Sequence, residues 1–347
     1  MADQNCRYSL FILVVLINRL DIFHIVEINK AGKQQKKKKL KRTQLSCFFV
    51  QLPACKVAME ACASAHYWAR EFRAMGHEVL LLPPQHVKAY LRGQKNDYND
   101  AKAIAEAAHH GSIRPVPIKS IEQLDAQAFH RIRRQLVGEQ TRLANQMRGL
   151  LAENGITVAR GVGVIRREAP EILENAKNGL SIRFRQLLDR QYQRFLGLDE
   201  ELVWYMEQLK VEAKMDENCQ HLCEVPGFGP VVSSAFKSWI GDGKQFKRGR
   251  HASAALGVIP RQHSTGGKEK LLGISKRGDK YVRTLVIHGA RSVVTHAKKK
   301  KDPLSCWINN LVTKRGFNKA VVALANKLIR IAWVIVAHNE RYQVQTA

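Results

Sequence analysis

KVAMEACASAHYWAREFRAMGHEVLLLPP, residues 56–84, sets the fold class of the first half of the chain. Lys56–Glu60 reads as a short strand that ends in a carboxylate. Ala65–Met75 reads as a helix, and Gly76 stops it. His77–Leu82 is an apolar strand closed by Pro83 and Pro84. A strand, a helix and a strand in direct succession form the repeating unit of an α/β layout.

Toward the N-terminus the same layout continues. Residues 9–17 and Phe23–Asn29 read as buried strands, with a turn over Lys30–Lys33. A third strand spans Gln35–Lys41, and Thr43–Leu52 suits a short helix. The KKKKLKR run within 36–42 fits a solvated edge strand, a nucleic-acid-facing strand or a nuclear signal.

Composition bounds the partners. The chain has 347 residues, with 57 Lys and Arg against 30 Asp and Glu, a formal net charge of +27. That excess suits a polyanion, nucleic acid before membrane surface. The longest apolar run, Ser9–Ile17, falls far short of the ~20 residues a membrane span needs. No signal peptide is recognised. Seven scattered cysteines point to reduced thiols in a cytoplasm. Cys219, His221 and Cys223 alternate closely but lack a fourth ligand at zinc spacing.

Downstream of the opening stretch lies KNDYNDAKAIAEAAHH, residues 95–110. Asn96 or Asp97 caps a helix, and Asp97 and Asp100 share one face of it. Glu60, at a strand end, is placed to meet them. Three converging carboxylates make a hard-oxygen site for magnesium. The bland reading has Asp97 as a cap, Asp100 as dipole compensation and Glu60 as unrelated.

From Ser120 the pattern turns helical. Leu124, Ala128, Ile132 and Leu136 open one apolar seam, and Leu188, Tyr192, Phe195 and Leu202 carry another. A loop near Asn154–Val164 joins them, which predicts an antiparallel helical hairpin or an oligomerising coiled coil. Its arginines, among them Arg131, Arg134 and Arg142, are either solvated or follow a nucleic-acid backbone. CEVPGFGPVVSSAF, 223–236, resembles a helix-hairpin-helix, whose glycines (here Gly227 and Gly229) let backbone N–H groups approach a phosphate. Next comes GVIPRQHSTGGKEKLLGISKRGDKYVRTLVIHGAR, 257–291. It sets the hydroxyls of Ser264 and Thr265 beside two glycines and among Arg261, Lys268, Lys276, Arg277 and Arg283. Those cations would hold a phosphate; as a plain surface turn they would merely be solvated. Asn318–His338 closes the chain as an apolar helix packing the last domain.

The blocks at 59–71, 76–88, 95–101, 225–230 and 257–291 together resemble, in matching order from about Phe23 to Tyr342, bacterial insertion-sequence transposases of the DEDD type. The resemblance implies an RNase H-like (resolvase-like) domain at 1–118, a helical coiled-coil hairpin at 119–215 and a mostly α-helical transposase domain at 216–347. It implies DNA recombination guided by a structured RNA, dimers pairing into tetramers and a bacterial cytoplasm. Glu60, Asp97 and Asp100 match the last three of four acids that bind Mg2+. Ser264 matches the family's nucleophile, with Thr265 as runner-up. Gly227, Gly229, Arg261, Lys268, Lys276, Arg277 and Arg283 are the nucleic-acid contacts expected.

One departure stands out. The family's first Asp aligns on Ile17, and the nearest acid is Asp21, four residues later, about 13 Å along an ideal strand. The poor match of the upstream residues is read as a frameshifted or misassigned start. Two other functions stay open: a metal-dependent junction resolvase that uses water, and a decayed, non-catalytic nucleic-acid-binding copy.

Overall fold

The structure is a computed structural model that describes residues 11–18 (backbone), 22–29, 31–94 and 96–343. It is mostly helical, with two small sheets. Two compact units divide at Ser120 and Ile121. The segments expected as a separate hairpin and transposase domain lie within the second.

In the first unit the strands are β1 (Phe11–Asn18), β2 (Ile22–Asn29) and β3 (Gln34–Lys41), then β4 (Lys56–Glu60) and β5 (Glu78–Leu82). Helix α1 (Arg42–Val50) follows β3, α2 (Ala65–Ala74) joins β4 to β5, and α3 (Pro84–Val87) and α4 (Asp97–His110) follow β5. The sheet order is β3-β2-β1-β4-β5. The first three strands are antiparallel, and β4 and β5 run parallel to β1. This arrangement is consistent with an RNase H-like domain.

Strand alternation makes three layers. Phe23, Ile25, Val57 and Met59 face α1 and α2, packing on Phe49, Trp68 and Phe72. Val26, Ile28 and Ala58 face α4, whose Ala101, Ala105 and Ala107 bring that helix close to the sheet. Burying a Phe or Met side chain is worth roughly 1.5–3 kcal/mol, so both faces anchor the strands. The edge strand β3 is exposed except for Leu40. The other edge, β5, is met by the chain at Val116, whose N–H donates to Leu81 O at 2.7 Å.

The second unit opens with α5 (Ile121–Glu153), α6 (Val162–Glu174) and α7 (Ile182–Met215). Leu143, Met147, Ile165, Leu188 and Phe195 form their shared core. Helix α6 is a third helix between the two that a helical hairpin requires, and it contains Pro170. Its Arg166 makes a two-pronged contact to Asp199, 2.6 Å for each bond, and Gln140 joins the same carboxylate. One acid thereby ties all three helices together.

Next come α8 (Glu217–Cys223), α9 (Pro230–Ile240) and α10 (Gly249–Leu256). The hairpin strands β6 (Pro260–Gln262) and β7 (Leu271–Ile274) precede α11 (Lys280–Ala297), α12 (Pro303–Arg315) and α13 (Phe317–His338). The core joins Phe228, Phe236, Leu256, Val286, Ile308 and Leu328. Among the described residues α13 is the one helix long and apolar enough to cross a membrane, yet 56% of that stretch is buried in its own unit.

Candidate functional site

The carboxylates are positioned by the ends of regular elements. Glu60 is the last residue of β4, and Asp97 and Asp100 lie in the first turn of α4. Asn96 caps that helix: its Oδ1 accepts the Asn99 N–H at 2.8 Å. The cap role is therefore filled without Asp97, and both aspartates gain from the positive end of the helix dipole. Packing of α4 on β1, β2 and β4 carries its first turn to the strand end where Glu60 sits.

Electrostatics report the approach. Burial raises the Glu60 carboxyl above its ordinary range, and the charge of Asp100 raises it further. Two like charges so placed gain from a divalent cation between them, and their oxygens are the hard donors such an ion prefers. Asp97 is engaged differently. Its Oδ2 lies 3.3 Å from Nε2 of His24, a buried side chain on β2. The His24 ring stands edge-on to Tyr98, and Lys37 of β3 lies over the Tyr98 ring at 4.9 Å. Among the described residues no group of three or more His, Cys, Asp and Glu closes into a metal-binding cluster. Neither the carboxylates Glu60, Asp97 and Asp100 nor Cys219, His221 and Cys223 close into such a cluster.

Position 17, where the resemblance expects the first acid, lies in β1 opposite Phe23, two residues past the Val15–Met59 pair with β4. Its backbone is thus at the same end of the sheet as Glu60. Asp21 lies outside the described residues.

In the second unit Ser264 sits near the tip of the exposed β6–β7 hairpin. The turn Thr265-Gly266-Gly267-Lys268 closes with Lys268 N–H donating to Thr265 O at 3.1 Å. Gly266 and Gly267 have φ of 55° and 74°, the left-handed pair of a type I′ turn, which side chains other than glycine resist. No atom lies within 4 Å of where their Cβ atoms would be, so the tip is open. Gln262 Nε2 donates to Ser264 Oγ at 2.9 Å. That bond uses an oxygen lone pair and leaves the serine proton for another acceptor.

The base of the hairpin is firmly held. A Cβ on Gly257 would overlap the backbone of Arg277, and one on Gly278 would overlap the carbonyl of Ala255. Lys276 N–H donates to Gly257 O at 3.0 Å. Arg283 is buried, and its Nη1 donates to Leu256 O at 3.1 Å and Arg277 O at 2.6 Å. It braces the two chains that enter and leave the hairpin and does not face solvent. Arg261, Lys268 and Arg277 are exposed. Gly229 is the exposed N-cap of α9, while the Gly227 backbone packs against Gly289 of α11.

Sequence reasoning missed three contributors: His24, Gln262 and the inward role of Arg283. Each had a signal. His24 alternates with Val26 and Ile28 on a strand, and Gln262 shares the side of Ser264 by two-residue periodicity. Arg283 falls in the series 283, 286, 290, 294, 297, the buried stripe of α11.

Comparison with known proteins bears on both units. Residues 219–304 match the transposase IS116/IS110/IS902 family, and residues 21–155 match a DEDD transposase domain of IS110 type. A transposase for insertion sequence element IS1111A from Coxiella burnetii is 44% identical over 323 residues, 93% of this chain and 89% of that protein. A probable family 20 transposase from Pseudomonas aeruginosa is 44% identical over 308 residues, covering 88% and 91%. A transposase for insertion sequence element IS1328 from Yersinia enterocolitica is 39% identical over 317 residues, covering 91% and 94%.

Proposed function

This chain belongs to the IS116/IS110/IS902 family of transposases, and on that premise we propose that it cuts and rejoins DNA through Ser264 in a magnesium-dependent reaction. The family makes DNA the substrate, and its DEDD domain points to a divalent metal. The observation that supports the finer reading is the placement of Glu60 at the end of β4 and of Asp97 and Asp100 in the first turn of α4, where burial and then the charge of Asp100 raise the Glu60 carboxyl.

Glu60, Asp97 and Asp100 are the residues that would hold the metal. A divalent ion held there would supply Lewis-acid polarisation of the scissile phosphate. Ser264 Oγ forms a bond to phosphorus while the bond from phosphorus to the 3′ or 5′ oxygen breaks. The serine proton leaves to solvent or a base, and the departing oxygen takes up a proton. The resulting ester keeps the phosphate activated for resealing. Arg261, Lys268, Lys276 and Arg277 flank the hairpin and would offset phosphate charge. Arg283 holds the frame that presents them, and Gly229 opens a second phosphate contact at the α9 N-terminus, with Gly227 seating that turn. A guide RNA, a dimer-to-tetramer assembly across α5 and α7, and a cytoplasmic location complete the proposal.

Trapping decides between serine and water as nucleophile. A covalent protein–DNA adduct that survives denaturation and disappears in Ser264→Ala is expected. Metal-dependent cleavage with no adduct would instead establish the hydrolytic route. A second reading, a copy that binds but recombines poorly, is favoured by Ile17 at the sheet end that carries Glu60. Replacing residues 1–22 with a family-like strand bearing the Asp should raise recombination of a donor and target plasmid. Full activity in the unmodified chain would sink that second reading.

A further inference from the structure

Beside the serine hairpin, within the second unit, runs an open groove of about 1500 Å³. Its floor is the outward half of α13, where Val322, Ala323, Ile331 and Val334 are half-buried. One wall is the hairpin itself, from Leu271 to Ile274. Arg248, Arg250, Lys319, Lys327 and Arg330 ring it, and among the described residues no carboxylate lines it. Trp307 of α12 stands at its side, 37% exposed, with Lys327 Nζ 5.2 Å from its ring centroid. Helix α10 begins at the same rim, and its N-cap, Arg248, makes no side-chain cap bond. Its third N–H, from His251, donates to Arg248 O at 2.9 Å, so that helix end offers an anion the N–H groups of Gly249 and Arg250.

The geometry points to a binding site for single-stranded DNA in this groove, with a base stacked on Trp307 and phosphates on Arg248, Arg250 and Arg330. The inference rests on the proposed action of the hairpin on DNA, and it adds where an unpaired strand lies during that action. Three features favour this occupant. The ring of cations without acids is complementary to a polyanion. The apolar floor suits the flat faces of bases rather than a hydrated duplex backbone. An aromatic ring beside a basic track is how single strands are held without sequence preference. The shared wall with β7 selects DNA, because that strand leads back to Ser264.

Fluorescence anisotropy on the full chain tests this with labelled oligonucleotides of about 20 nucleotides, as single-stranded DNA, single-stranded RNA and duplex DNA. Trp307→Ala should weaken single-stranded DNA binding roughly 5- to 150-fold, the range of one lost stacking contact. Trp307→Phe should restore most of it, and duplex affinity should hold within about twofold. Arg330→Ala should reduce the single-strand salt slope by about 0.7. Equal single-stranded DNA affinity in Trp307→Ala and the unmodified chain, with salt-dependent binding intact, overturns the site but not the proposed function. A loss confined to RNA overturns the choice of DNA. A change of oligomeric state in Trp307→Ala without a change in binding assigns the groove to a second copy. Failure of the unmodified chain to bind any nucleic acid overturns this inference and the proposed function together.

Discussion

Replacing Arg283 with methionine removes the two bonds that brace the serine hairpin and leaves a side chain of similar length. The residue is only 7% exposed, so solvent screening discounts its bonds little. Each charge-assisted hydrogen bond to a carbonyl contributes about 1.5–3 kcal/mol, and the Leu256 and Arg277 carbonyls lose those donors. Relief of burying a cation offsets part of this, and the net loss is about 2–4 kcal/mol. With a urea slope of about 2 kcal/mol/M, the unfolding midpoint of the second unit should fall by about 1–2 M. Tryptophan fluorescence in urea reads the shift, since Trp239 and Trp333 belong to the core of that unit. Limited proteolysis reads the local effect, with new cleavage expected between Gly257 and Gly278. Arg283→Lys should recover part of both. A midpoint shift under about 0.3 M with an unchanged cleavage pattern would refute the bracing argument.

Asp100→Asn should lower the Glu60 pKa toward its ordinary value, because a like charge is removed, and carbon-detected NMR of the carboxyl checks it. The native Glu60 holds its proton more tightly than the unfolded one, so folding takes up a proton. Stability from this group is therefore full at low pH and falls as pH rises from the unfolded value of about 4.3 through the raised native one; urea melts across that window should show the fall shrink in Asp100→Asn. Gly267→Val should open the hairpin tip at a cost of about 1–2 kcal/mol, with loss of the Ser264 adduct but little change in the core melt; an unaltered adduct yield would contradict the turn assignment. Nucleic-acid affinity should drop steeply between ~50 and ~200 mM salt, and a flat binding constant over that range would argue against phosphate contacts.

Much of the first unit is readable from sequence because its punctuation is local. Gly76, Pro83 and the alternation in Lys56–Glu60 need no distant partner to act, and the strands and helices lie within a few residues of their expected limits. The turn at Gly266 and Gly267 is legible for the same reason. What escaped depends on tertiary direction. Arg283 looks like its basic neighbours until the stripe of α11 turns it inward. Helix α6 was hidden by Pro170 and by reading the apolar seams as two segments, when Ile165 and Ala169 complete their core. The Glu60–Asp100 approach spans 40 positions of chain and follows from α4 packing on the sheet, which no spacing rule encodes.

The two rims of the five-stranded sheet end differently, and this limits how copies of the chain can join. At β5 the chain at Val116 already occupies part of the open backbone. At β3 the backbone stays open, but Lys36, Lys37, Lys38, Lys39 and Lys41 stand along it. A second β3 laid alongside would set ammonium against ammonium at nearly every step, a repulsion that unpaired backbone groups do not overcome. The sheet is thereby protected from growing by strand addition, stoppered at one rim by its own chain and at the other by charge. Copies of this protein that assemble do so by a route other than extension of this sheet.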